Sequence, residues 1–388
     1  MTQQSPLAPR HPDPIRTICC IHQGYELYGS DRLFIQCVAI LRRLHPEAAI
    51  EIVLPKPGPI VDPLRMDGVS IVFDDIWVLR KKDIAQKLLF RLPHLIGCIR
   101  AARRRIADSD LTYISTSVIA DYLLAARTSP AACLCHVHES PDGLALLAVR
   151  ALLHWAAIPM IFNSAATQTQ FALPEAIPQA VVLNSCKTPE KTRPVEYDGL
   201  APLKVLMLGR INSWKGQDLL VEAVAAMQIE ARARIEIRIV GGTFDNARHD
   251  LALLDLIRRF ELESYIEVLG FDPDPTPHYQ WCDILVVPSR KPEPFGLVAI
   301  EAFSHGRAVI AADHGGLTEI VTPDRDGWRF EPNSAADLAR YLEMAVASPF
   351  AVRTMGETAR ITHAQRFTET IFERSFAEAL HPADPTAP

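Results

Sequence analysis

The chain has 388 residues, with 40 Lys and Arg against 46 Asp and Glu, a formal net charge of −6. Such a length accommodates two domains of ordinary size, and the acidic balance argues against a general nucleic-acid binder, which needs a basic surplus to meet phosphate. The eight cysteines form no Cys-x-x-Cys pair and the N-terminus (MTQQSPLAPRHPDP) lacks the basic and apolar regions of a signal peptide, so a reducing cytoplasm is the expected compartment.

Residues 1–14 read as a flexible, proline-rich tail. Strands are then expected near Ile15–Ile21, Ala49–Leu54, Leu111–Ile114, Ala132–Val137, Met160–Phe162 and Val181–Leu183, separated by helical patterns. Short β-branched runs alternating with helices predict a parallel sheet wrapped by helices, here an N-terminal Rossmann-like domain over residues 15–184. In the loop HQGYELYGSDRL, Gly29 permits close backbone approach to a ligand. A helix N-cap at Ser30 or Asp31 is the equal alternative.

From Arg80 to Arg105 nine basic residues face one acidic residue, interleaved with Ile84, Leu88, Leu92, Leu95, Ile96 and Ile99. A basic amphipathic stretch of this kind suits an anionic membrane surface, or is simply the solvated side of a core-facing helix. Cys133, Cys135, His136 and His138 have the chemistry of metal ligands, but alternation along a strand puts the cysteines on one face and the histidines on the other, so no metal site is expected. The apolar run Gly143–Phe162 is interrupted by Arg150, His154 and Pro159. A central Arg costs about 2.5–3.5 kcal/mol in a bilayer, so the run reads as a helix followed by a strand.

Ser185–Pro202 has three prolines and no apolar periodicity, the pattern of a linker. The alternation restarts in a second Rossmann-like domain over residues 203–380, with strands expected at Lys204–Leu208, Glu236–Val240, Ile266–Leu269, Ile284–Val287 and Ala308–Ala311; residues 381–388 form a second tail. After the first of these strands, LGRINSWKGQ sets Arg210 and Lys215 on either side of a strand-to-helix turn. There a helix N-terminus and two cations suit a diphosphate, the alternative being a solvated Arg and a capping Lys. No Gly-x-x-x-x-Gly-Lys-Ser/Thr or Gly-x-Gly-x-x-Gly string is present, which disfavours P-loop NTPases and dinucleotide dehydrogenases.

In PSRKPEPFGLVAIEAFSHG a helix is expected from Pro294 or Phe295, closed by Gly306. Glu301 falls near its apolar stripe, where a hydroxyl-rich ligand such as a ribose would satisfy the carboxylate. Fully helical spacing would set Glu293 roughly 12 Å from it along the axis. The backbone N–H groups of Gly296 and Leu297 lie between them, in the first turn, open to phosphate.

The string EPFGLVAIEA, followed by HGRAVIAADHGGLTEIV and preceded by GRINSWKG, resembles the donor-binding signature of the family 4 retaining glycosyltransferases. The resemblance runs over nearly the whole C-terminal half. It implies a GT-B architecture: two Rossmann-like parallel-sheet α/β domains facing a central cleft, with the last helix packing back on the N-terminal domain. The implied donor is a nucleoside diphosphate sugar, and the implied acceptor a glycan or lipid-linked hydroxyl of cell-surface polysaccharide, lipopolysaccharide or glycolipid synthesis.

Residue by residue, the resemblance implies that Arg210 and Lys215 hold the diphosphate, Glu301 the ribose and Glu293 the transferred sugar. The backbone of Phe295, Gly296 and Leu297 would meet sugar and phosphate, and His138 the sugar near the reacting centre, with Glu139 nearby. Gly315 and Gly316 match the family's glycine pair, with no role assigned. No cofactor or metal is expected. A GT-B epimerase or phosphorylase, or a non-catalytic sugar-binding scaffold, are the rival readings, which a product assay separates.

Overall fold

The computed structural model describes residues 15–27, 29–79, 92–129, 132–242 and 248–380. The described residues divide into two compact units, one lying within 15–183 and 372–380, the other within 184–371.

The first unit contains β1 (Thr17–His22), α1 (Gly29–Leu44), β2 (Ala49–Leu54), β3 (Val69–Phe73), α2 (Leu92–Ala107), β4 (Leu111–Ser115), α3 (Ala120–Ala126), β5 (Ala132–Val137), α4 (Gly143–Ala156), β6 (Met160–Phe162), α5 (Ala165–Phe171) and β7 (Gln179–Val181). Its seven strands are parallel in the order β3-β2-β1-β4-β5-β6-β7. Every residue of β4 and β5 is buried, as expected where helices cover both faces of a sheet. Cys133 and Cys135 enter the core beneath α2, α3 and α4, whereas Leu134 joins α1 on the other face. The alternation read from the sequence therefore holds.

The second unit contains β8 (Leu203–Leu208), α6 (Gln217–Ala226), α7 (Ile229–Arg232), β9 (Ile235–Val240), α8 (Arg248–Arg259), β10 (Ile266–Leu269), α9 (Thr276–Trp281), β11 (Ile284–Val287), α10 (Leu297–Ser304), β12 (Ala308–Ala312), α11 (Leu317–Ile320), β13 (Gly327–Phe330), α12 (Ala335–Ala347) and α13 (Pro349–Arg366). Its strands are parallel in the order β10-β9-β8-β11-β12-β13. The final helix, α14 (Glu369–Leu380), contributes Phe372, Phe376 and Leu380 to the core of the first unit.

Four expectations need correction. The strands β3 and β13 were not foreseen: β3 has no fully buried residue, so it lacks the apolar run of an inner strand, and β13 opens on Gly327 behind Asp324-Arg325-Asp326, which reads as a turn. The strand expected at Val181–Leu183 begins at Gln179, although the Val182 amide still donates to Phe162 O at 2.9 Å. The helix expected from Pro294 or Phe295 begins at Leu297 behind Gly296, whose φ of 118° breaks the helical run. Residues 185–202 form neither helix nor strand, yet they are tied to the second unit: Tyr197 is buried and donates to Val346 O at 2.9 Å, and Arg307 donates to Arg193 O at 2.9 Å.

Candidate functional site

In an open parallel sheet, ligands bind beyond the carboxyl ends of the strands, at the point where strand order reverses. In the second unit that point lies between β8 and β11. After β8 comes the loop Gly209–Gly216. Asn212 Oδ1 accepts from the Trp214 and Lys215 amides at 3.1 and 3.0 Å, and Gln217 Nε2 donates to Arg210 O at 2.9 Å. This Asx-type turn is the local reason for the sequence Asn-Ser-Trp-Lys-Gly-Gln. It sends Lys215 back over the loop, its Nζ 4.4 Å above the Trp214 ring. Arg210 stands exposed immediately after the strand.

After β11, Ser289 Oγ donates to Glu293 Oε1 at 2.5 Å, and Lys215 Nζ donates to the same oxygen at 2.6 Å. Glu293 is only 5% exposed, so its charge is held by a hydroxyl and an ammonium rather than by water. The loop is fixed from outside as well. Arg290 bridges to Asp218 at 2.9 Å and Glu222 at 3.2 Å on α6, and the His314 Nε2–H donates to Ser289 O at 2.8 Å.

The glycine pair has a steric role. Residues Glu293 and Gly315 form a parallel bridge, and the Gly316 amide donates to Glu293 O at 2.8 Å. A Cβ on Gly316 would lie 2.5 Å from Phe295 Cα and 2.6 Å from Phe295 O, distances that real side chains do not occupy. Gly315 has φ of 62°, and its Cβ would fall 2.5 Å from Glu293 O. The pair lets a second backbone press against Glu293–Phe295 and hold Glu293 beside Lys215.

Glu293 lies in this bridge rather than on α10, so the axial separation drawn from helical spacing does not apply. Glu301 is on α10, and Tyr279 Oη donates to its Oε2 at 2.7 Å. A buried tyrosine therefore already supplies one donor to Glu301, beside the hydroxyl-rich ligand expected from the sequence. Gly296 and Leu297 stand at the open N-terminal end of α10, where amides lack helical partners. Phe295 is buried against Phe367, ring centroids 6.1 Å apart.

In the first unit the strand order reverses between β1 and β4. There His22 reaches Ser115 O at 3.3 Å through Nδ1 and Asp31 Oδ1 at 2.8 Å through Nε2. Gly29 is the first residue of α1, so Asp31 lies inside the helix, paired with His22 rather than capping it. Glu139 accepts from Thr116 Oγ1, from Ser117 Oγ at 2.8 Å and from the Ser117 amide at 3.1 Å. Thr116 is held at φ of 135°, a costly conformation for a β-branched residue and one that clusters at functional sites.

His138 follows β5, its ring tilted by 44° against His136 with centroids 4.0 Å apart. Both of its ring nitrogens are buried without a hydrogen-bond partner, as is Asn163 Oδ1 at the level position beyond β6. Buried polar atoms are normally paired, so these atoms have hydrogen-bonding capacity left over for a polar ligand. Among the described residues no group of three or more His, Cys, Asp or Glu is arranged to hold a metal ion.

Burial depresses the His138 pKa below the usual histidine range, with Glu139 opposing and His22 reinforcing the shift. A histidine kept neutral in the folded state takes up its proton on unfolding, so the stability it permits at neutral pH is lost as pH falls below about 6.5. The wild type is therefore expected to lose more stability than His138→Gln between pH 6.5 and 5. Parallel pH dependences in thermal unfolding of the two proteins would contradict this.

Of the residues singled out in the sequence, Lys215, Glu293 and the Gly315–Gly316 backbone come together directly. Glu301 and Glu293 have separate partners. Ser289, Tyr279, Trp214, Thr116, Ser117 and Asn163 were missed. Position immediately after a strand was the available signal for Ser289, Thr116 and Asn163, whereas Tyr279 reaches Glu301 only through tertiary packing.

Residues 192–362 match a family model described as glycosyl transferases group 1. Two similar proteins are the D-inositol 3-phosphate glycosyltransferases of Gordonia bronchialis, 35% identical over 173 residues, and Kribbella flavida, 36% identical over 166. The likeness covers 42% and 41% of this chain and only 37% and 39% of those relatives. Among solved structures, Anabaena HepE in complex with UDP and glucose aligns over 94% of this chain and 99% of its own, with a TM-score of 0.75 at 23% identity, a likeness of fold.

Proposed function

We propose that the chain is a glycosyltransferase of the group whose family model matches residues 192–362, carried on a GT-B fold, and that it is a retaining hexosyltransferase. It takes a nucleoside diphosphate sugar, with UDP the first nucleotide to test because HepE is complexed with it. The acceptor is a hydroxyl of a glycan or lipid-linked molecule of cell-surface polysaccharide, lipopolysaccharide or glycolipid synthesis. The observation that carries this reading is the Lys215–Glu293–Ser289 cluster at the carboxyl edge of β8 and β11.

Arg210, Lys215 and the amides of Gly296 and Leu297 bind the donor diphosphate and stabilise the charge that grows on it as the glycosidic bond breaks. Glu301, oriented by Tyr279, receives the ribose hydroxyls. Glu293 grips the transferred sugar, and His138 donates or accepts a hydrogen bond close to the anomeric carbon, with Gly29 allowing close backbone approach. Rate then comes from positioning and electrostatic stabilisation, with no metal required. The enzyme works in the cytoplasm, with peripheral contact to the inner membrane face through Arg80–Arg105, of which residues 80–91 lie outside the described residues.

A thermal-shift screen of nucleotide sugars should find one that raises the unfolding temperature by mass action. For that donor, Glu301→Ala should weaken binding of the free nucleotide by roughly tenfold, the scale of losing hydrogen bonds to a charged acceptor. Equal affinities in titration calorimetry would remove Glu301 from the ribose site, and no turnover with any donor would favour a scaffold.

A further inference from the structure

The helices α2, α3 and α4 form one layer on the first unit's sheet. Ala102, Leu123 and Leu153 share a core with Cys133 and Cys135, and α3 packs against both of its neighbours. The outer side of this layer has an unusual composition. Leu144 is 84% exposed, Leu147 57% and Trp155 54% on α4, spaced three and eleven residues from the first and hence on one side of the helix. The only charged residue of α4, Arg150, donates through Nη2 to Gln170 O at 2.7 Å. That outer face of α4 therefore carries no formal charge, whereas a solvated surface helix normally carries several.

On α2, Leu92 and Ile96 are exposed and are followed by exposed Arg100, Arg103 and Arg104. Arg105 belongs to a separate set, tied to Glu51 at 3.2 Å and Asp74 at 2.7 Å. The sole acidic residue of the three helices, Asp121, is buried. Exposed leucines, a tryptophan and arginines, with exposed carboxylates only at the helix ends, Asp142 at the N-cap of α4 and Asp108 beyond α2, are complementary to one surface, an anionic bilayer, where apolar side chains enter the acyl boundary and guanidinium groups meet lipid phosphate.

We propose that the outer face of α4, together with the α2 arginines on the other side of α3, docks the protein on anionic phospholipid bilayers, with Leu144, Leu147 and Trp155 inserting. This deepens the lipid-linked branch of the acceptor reading and assigns the insertion to α4, which the basic stretch alone does not identify. A cavity of about 280 Å³ lined by Leu79, Val118, Pro141, Ala145, Ala148 and Val149 adjoins Glu139, so the same helix that meets the bilayer also walls an apolar recess beside the polar groups that follow β5.

Vesicles of phosphatidylcholine with phosphatidylglycerol test the proposal without donor or turnover. The full chain should sediment with them and shift its tryptophan emission to the blue, and Trp155→Phe should abolish most of that shift, since Trp77, Trp214, Trp281 and Trp328 are half-buried or buried. Leu144→Asp with Leu147→Asp should weaken partitioning at least about tenfold while UDP affinity stays unchanged, so failure here is distinct from failure of the donor reading. Wild-type sedimentation of the double variant would overturn the proposal. So would a wild-type dimer in sedimentation velocity that the double variant splits and that ignores vesicles, because the face would then be a contact between two copies of the chain.

Discussion

Lys215→Ala is expected to lower turnover by roughly tenfold to a thousandfold, the range observed when one electrostatic stabiliser of a developing anion is removed. Two effects combine. The diphosphate loses a cation, and Glu293, whose side chain is 6% exposed, loses the ammonium at 2.6 Å that balances it. A buried carboxylate left without its partner either takes up a proton or moves, and in both cases its grip on the sugar changes. Comparing Lys215→Ala/Glu293→Gln with Glu293→Gln alone separates the two effects: if the double variant turns over more slowly than Glu293→Gln, the cation acts on the donor. Wild-type turnover in Lys215→Ala would remove this residue from the mechanism. The conservative change Lys215→Arg is expected to restore little, because a planar guanidinium does not reproduce a point contact shared with Ser289 Oγ on one oxygen.

Gly316→Ala is expected to destabilise the protein by about 2 kcal/mol or more, at the upper range for forcing a methyl group into filled space. All three nearest obstacles are backbone atoms of Pro294 and Phe295, which cannot step aside by changing rotamer. The strand-like bridge between Glu293 and Gly315 must open instead, carrying Glu293 away from Lys215 and tilting the first turn of α10. Donor affinity should therefore fall although residue 316 has no side chain to touch the donor. Gly97→Ala serves as the control, since a Cβ there meets nothing within 4 Å and alanine favours the helix. Urea unfolding with nucleotide titration checks both, and a Gly316→Ala protein as stable as Gly97→Ala would refute the steric account.

The alternation of short apolar runs with helical patterns was enough to identify two parallel-sheet units and most strands within two residues, because strands buried on both faces must be apolar throughout. β3 and β13 escaped because an edge strand is not obliged to be, and because a glycine after three polar residues reads as a turn. The same logic applies to the site. Lys215, Glu293, Glu301 and the glycine pair were legible as a set of spacings in which each residue type has a chemical reason to meet a charged, hydroxyl-rich ligand.

By itself the sequence determined which residues carry charge at the ends of which strands, and the order in which they occur. Only the tertiary structure decided that Ser289 and Lys215 converge on one oxygen of Glu293, that Tyr279 serves Glu301, and that the glycine pair exists to let two backbones touch. The Lys215–Glu293 and Tyr279–Glu301 contacts join positions separated by 78 and 22 residues. Local pattern constrains a residue's conformation and face, but a partner so far along the chain is fixed only when sheet order and packing bring the two together.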